Sequence, residues 1–316
     1  MATTGLYFVG EAKVDQRQDS QNGRVMHLAP GGSMYFGSLG AAKTLARHQV
    51  DDCRSFYVGP VSGDMFGDII RDDLQAAGVG MDYTRQIDCL PMISVVREDG
   101  KGGNEYSLYG RAQSDRENPL TADDLPQHFH EDRRFFCFGS VATTVSDDGQ
   151  ILKDFAERQT AQGAICLYDP NTRPTAIADR DRYRDALEQW VQAVSVVKAS
   201  AEDIAFTYPD LSEKQVAERW LSLGVRAVFV TGAEKGCTFY VGDAAQTIAA
   251  RTHPAITHTV GAGDNFNAGI LVGIAQAGIS TTDDLADLTA AAWRGVAVMA
   301  NETAFAHLLD INDVTA

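Results

Sequence analysis

From about residue 130 to 300, short apolar runs alternate with stretches of helical period. The runs at 135–139, 164–168, 194–198 and 228–231 are too short for helices and rich in β-branched and aromatic residues. Between the first pairs, 147–162 has the spacing of an amphipathic helix. Strands that are apolar on both faces, separated by helices, predict a doubly wound, mostly parallel α/β sheet. Runs at 6–9 and 56–59 belong to the same pattern, and helical segments over about 284–300 close it. No repeat, low-complexity tract or Pro/Gly/Ser linker divides the 316 residues, so the expectation is one domain spanning 1–316.

The chemistry concentrates at 257–273, THTVGAGDNFNAGILVG. Gly261, Ala262 and Gly263 allow a sharp turn and a close backbone approach, and Asp264 falls where a helix would start. Phe266, Ile270 and Ile274 then recur at helical spacing. A helix that opens from glycines presents unpaired N–H groups and a positive dipole end, which suits a phosphate. A carboxylate there repels a bound phosphate, unless it is the base for a hydroxyl that attacks it. A tight turn with an acidic helix start reads equally well from spacing alone.

The net charge of −16 disfavours nucleic acid or an anionic membrane as partner. It does not exclude an anionic nucleotide, because helix ends and metal ions act locally. Five scattered cysteines without C-x-x-C spacing point to a reducing, cytoplasmic setting rather than a disulfide framework. No apolar run is long enough for a membrane span. His128 and His130 lie two residues apart, off a common helix face, and read as a surface turn rather than a metal site.

The 258–269 segment, His-Thr-Val-Gly-Ala-Gly-Asp-Asn-Phe-Asn-Ala-Gly, resembles the D-T-x-G-A-G-D signature of the ribokinase-like (PfkB) carbohydrate kinases. Further matches follow in family order. They are Gly10-Glu11 with Asp15, Pro30-Gly31-Gly32, the segment 59–67, Tyr106 to Arg116, Asp169-Pro170-Asn171-Thr172-Arg173, and Thr231-Gly232 with Gly236. The resemblance covers nearly the whole chain and is greatest to the fructokinase and 2-keto-3-deoxygluconate kinase branch. It implies a ribokinase-like fold with a small β-strand lid, formed by about 11–35 and 90–112. It implies ATP-dependent phosphorylation of a small sugar, with magnesium bound mainly through ATP and no side chain as direct metal ligand. Asp264 would be the base, and the amides of Gly261, Ala262 and Gly263 would hold the transferring charge. Asp15, Gly31, Gly32, Phe36, Tyr109, Arg111 and Arg173 would face the sugar. Lys198, Ser200, Asp203, Thr231, Gly232 and Gly236 would face the nucleotide. A homodimer through the lid is a further implication. A sugar-acid kinase and a catalytically weak binding or regulatory protein remain as alternatives.

Ser200 and Asp203 stand where the wider family has N-x-x-E, and two further departures bear on the sugar and the cation. Phe36 stands where the family has an Asn that bonds the sugar, so fructose is expected to be a poor substrate. His258 stands where an Asp helps hold a monovalent cation. Potassium prefers oxygen ligands, so the expectation is a turn held without it, either vacant or filled by the His. The other reading has His258 facing solvent while backbone carbonyls keep the ion.

Overall fold

The computed structural model describes residues 2–18, 24–88, 93–98, 104–109, 122, 125–140, 143–144 and 148–314. The first half contains β1 (Thr4–Val9), β2 (Lys13–Gln18), β3 (Met26–Gly31), α1 (Ser33–His48), β4 (Cys53–Ser62), α2 (Met65–Ala76) and β5 (Gly80–Ile87). β6 (Ile93–Glu98), β7 (Asn104–Tyr109), β8 (Arg133–Gly139), α3 (Asp148–Ala161), β9 (Ile165–Asp169) and α4 (Arg180–Ala193) follow. Next come β10 (Val196–Ser200), α5 (Ala201–Thr207), α6 (Glu213–Ser222) and β11 (Ala227–Thr231). The chain closes with β12 (Cys237–Val241), β13 (Ala244–Ile248), α7 (Ala262–Gln276) and α8 (Ala290–Ile311).

Nine strands form the main sheet in the order β13-β12-β11-β10-β9-β8-β1-β4-β5. From β11 to β5 every neighbouring pair is parallel, and the β12–β13 hairpin joins antiparallel. Alternation along a strand feeds two cores. In β8, Phe135 and Cys137 enter the core shared with α1, α7 and α8. Phe136 and Phe138 enter the opposite core, with Phe155 of α3 and Trp190 of α4. This is the doubly wound sheet that the alternation predicts.

Helix α7 is buried at every position from Asp264 to Ala275, as its mean apolar character on all sides requires. Its small residues let α8 approach closely. A β-carbon on Gly269 would overlap the Ala300 Cα, and one on Gly273 would lie 2.9 Å from the Val296 Cα. The helix that carries the 261–264 motif is thus fixed against both the sheet and α8.

A separate four-stranded sheet has the order β3-β2-β6-β7. It corresponds to the expected lid. Ser33 to Tyr35 already belong to α1, so the first lid segment ends at Gly31. β6 and β7 pair antiparallel, with Glu98 opposite Asn104. Residues 99–103 between them lie outside the described residues.

Candidate active site

Strands β9, β10 and β11 run parallel and end side by side, and β10 and β11 pair Ser200 with Thr231 at that edge. Open α/β sheets bind ligands beyond these carboxyl ends. There the turn after β9, the first turns of α1 and α7, and strand β2 of the lid enclose a cleft of about 490 Å³. Asp264, Gly261, Gly263, Asp15, Gly32, Phe36 and Arg173 all line it, so the structure brings these expected residues together. Lys13, Ser33, Asn171 and Glu202 line it as well.

Asp264 is the third residue of α7, two positions later than a helix start at the acid would put it. It is 8% exposed, and its carboxylate accepts from Asn171 Nδ2 at 3.5 Å. Asn171 Nδ2 also bonds Ser33 Oγ at 2.8 Å, which ties the β9 turn to α1. Burial, and then the nearby charge of Asp169, push the Asp264 carboxyl up to about 6. Lys198, Arg173 and the Ser33 hydroxyl pull the other way. A carboxylate tuned to that value is a competent general base near neutral pH.

Gly261 caps α7 with φ 80°, a left-handed conformation that glycine adopts without strain. Its carbonyl accepts from the Asn265 backbone and side chain, each at 2.9 Å. The Ala262 N–H donates to the Thr259 carbonyl at 3.2 Å. That engagement corrects the expectation of three open amides. Ala262 closes the turn, and Gly261 and Gly263 line the cleft.

Beneath the cleft lies a buried ionic network. Asp169, at the end of β9, accepts from Lys198 Nζ at 2.9 Å and from Asn267 Nδ2 at 2.7 Å. Lys198 is 4% exposed and does not line the cleft. Its ammonium is engaged by Asp169 beneath the cleft. The β10 pleat turns the side chain toward Asp169, and its ammonium lies 3.0 Å from where a β-carbon on Gly263 would sit.

Ser200 and Asp203 form a capping box on α5. Asp203 Oδ1 also accepts from the Thr172 N–H at 2.7 Å. These two residues hold the turn that presents Asn171 and Arg173. The carboxylate that reaches the cleft from this helix is Glu202. Thr231, Gly232 and Gly236 lie at the end of β11, where the Gly232 N–H bonds the Gly236 carbonyl at 2.8 Å. They sit beside Ser200 along the sheet edge, outside the cleft that holds Asp264.

On the lid side, Asp15 is 3% exposed, with Lys13 Nζ 3.9 Å from its carboxylate. Lys13 also donates to Ser94 Oγ at 3.5 Å. Gly31 pairs with Lys13, and Gly32 caps α1. Tyr109 ends β7 opposite Ile93, and Arg111 lies outside the described residues. Phe36 packs edge-on against the His307 ring with centroids 5.6 Å apart. His258 is exposed, and Asn312 bonds both its N–H and its carbonyl.

A family model for pfkB family carbohydrate kinases matches residues 3–302. The chain belongs to this family. It is 28% identical over 245 residues to a fructokinase of Rhizobium leguminosarum bv. trifolii, covering 76% of this chain and 72% of that one. A fructokinase of Xylella fastidiosa solved with bound ATP superposes with TM-score 0.79 at 20% identity, over 98% of this chain and 94% of the other. The aminoimidazole riboside kinase of Salmonella enterica, solved with aminoimidazole riboside and an ATP analogue, gives 0.77 at 19%, over 95% and 92%. These structures share the fold. As a pfkB carbohydrate kinase, this protein works on a sugar. Among its described residues no helix is long and apolar enough to cross a membrane.

Proposed function

We propose that this kinase transfers the γ-phosphoryl group of ATP to a hydroxyl of a small sugar, a fructokinase-like reaction. The observation that carries this reading is Asp264, a buried carboxylate at the first turn of α7, pushed up to about 6 and open to the cleft. In this reading Asp264 takes the proton of the sugar hydroxyl as that oxygen bonds the γ-phosphorus. The bond to ADP breaks, and the Gly261 and Gly263 N–H groups receive the charge of the transferring group. Asp15 accepts from sugar hydroxyls on the lid side. Magnesium, carried mainly by the ATP phosphates, would neutralise charge there, and Glu202 is a cleft carboxylate suited to hold it through water. The relatives solved with ATP and with its analogue support the donor. A cytoplasmic setting, where ATP and reduced thiols coexist, belongs to the same reading.

Phe36 supports a sugar other than fructose, because its ring packs against His307 and offers the cleft no hydrogen bond. Lys13 and Arg173 favour a second reading, an acidic sugar, since both cations line the cleft. Val260 supports independence from potassium, because its carbonyl already bonds His307. One experiment tests all three. ADP release is followed with ATP and a panel of fructose, other small sugars and sugar acids, in potassium and in a bulky organic cation at matched ionic strength. Fructose is expected below about 10⁴ M⁻¹s⁻¹ in kcat/KM, and a value at or above that sinks the pocket reading. Activation by potassium of roughly tenfold, about 1.4 kcal/mol on the barrier, sinks the cation reading. Nucleotide binding without turnover of any acceptor would replace the kinase reading with that of a binding protein.

We also infer a homodimer through the lid. Met26 and Leu28 expose apolar side chains on the edge strand β3, with Val25 before it and Met65 and Ile69 exposed on α2. An apolar sheet edge of this kind invites a second chain. Light scattering is expected to give twice the chain mass, and Leu28→Lys should return it to one. A monomeric parent at micromolar concentration removes the inference.

A further inference from the structure

His307 lies on α8 beyond residue 302, where the match to the family model ends. Its Nε2 sits 2.8 Å from the Val260 carbonyl. A carbonyl only accepts, so Nε2 carries the proton and donates. The same ring meets Phe36, and a β-carbon on Gly261 would lie 2.8 Å from Nε2 and 3.0 Å from Phe36 Cγ. The ring therefore touches the turn at its carbonyl and at its glycine.

Peptide geometry gives this contact a consequence. A trans peptide points its N–H opposite its C=O. The carbonyl of Val260 and the N–H of Gly261 belong to one such plane. Drawing the carbonyl toward α8 turns the Gly261 N–H away from α8. Glycine at this position leaves the plane free to rotate unless something holds it. Gly261 has no side-chain cap, and the bonds of Asn265 hold its own carbonyl, in the next peptide. Other residues of α8 fasten the approach to the turn. Asn301 bonds the Ala249 carbonyl at 2.6 Å, the Arg251 guanidinium stacks on Phe305 at 4.5 Å, and Asn312 accepts from the N–H groups of Thr257 and His258.

We propose that His307 is a positioning residue for phosphoryl transfer, holding the Val260–Gly261 peptide so that the Gly261 N–H faces the cleft. The proposal rests on the kinase reading for its effect on rate, and on the turn alone for its effect on structure. Both are measured in the full chain. His307→Met fills much of the ring's volume without a donor, and His307→Gln keeps an N–H donor. Misplacing a transition-state donor costs roughly 10- to 100-fold. That loss is expected in the kcat of the Met variant, with sugar KM and unfolding midpoint close to the parent's. The Gln variant is expected to recover most of it. Amide exchange of the 257–264 peptide should be faster in the Met variant and close to parental in the Gln variant. A Met variant with parental kcat overturns the proposal, as does an equal loss in Met and Gln. A parent that turns over no sugar overturns the kinase reading instead. The exchange measurement then decides, and equal protection in parent and Met variant overturns the positioning role.

Discussion

Asp264→Asn is expected to turn over at least about 100-fold more slowly than the parent at saturating sugar and ATP, the loss that goes with a missing general base. ATP affinity should hold or rise, because the substitution removes a negative charge from a phosphate-facing helix end. The parent's pH profile gives a second, independent reading. Asp264 works as the ionised form. Its carboxyl is pushed up to about 6 by burial and by Asp169, so kcat should climb as pH rises through about 6 and then level off. Activity is lost on the acid side because protonation removes the base. An unshifted carboxyl would keep nearly full activity down to about pH 5 and half of it at about pH 4. The Asn variant should show a residual rate without that limb. A variant within threefold of the parent would remove Asp264 from the proton transfer, and a parental limb below pH 5 would remove the upward shift.

Much of this site was legible because its signals are local. The glycines and acid of 261–264 fix a turn and a helix start within four residues, and β1, β8, β9 and β11 are continuous apolar runs. What was not legible depends on distance or on facing. His307 lies 47 residues from the carbonyl it bonds, and nothing near it in sequence marks the contact. Lys198 ends a short apolar run, and the run does not reveal whether the ammonium meets the nucleotide or a buried carboxylate. Its partner Asp169 is 29 residues away on the neighbouring strand. Strand β5 is not legible in the sequence because it is an edge strand whose residues, GMDYTRQI, mix polar and apolar without a strict period. The resemblance implies that Ser200 and Asp203 face the nucleotide, and it does not reveal their bonds to each other and to the β9 turn. The structure shows them capping α5, with Asp203 also accepting from the Thr172 N–H.

Lys198→Met should cost about 3–5 kcal/mol of stability, the range for removing one partner of a buried ion pair. Lys198 and Asp169 are 4% and 2% exposed, so water cannot replace the lost cation. Methionine retains most of the aliphatic stem, so the loss reflects charge rather than a cavity. Asp169 keeps the N–H bonds from Asn171 and Asn267 but loses its counter-charge. The effect reaches the chemistry as well. Lys198 is among the groups that hold the Asp264 carboxyl down, whereas Asp169 pushes it up. With the cation gone and Asp169 ionised, the acid limb of kcat should move to higher pH, a change that a purely structural lysine would not produce. Lys198→Met with Asp169→Asn removes both charges. It is expected to recover part of the stability and to bring the limb back down. Urea unfolding of the single and double variants measures the coupling, and their pH–rate profiles locate the limb. A single variant with the parental unfolding midpoint would show that the pair adds no stability. A limb that stays in place would separate Lys198 from the ionisation of Asp264.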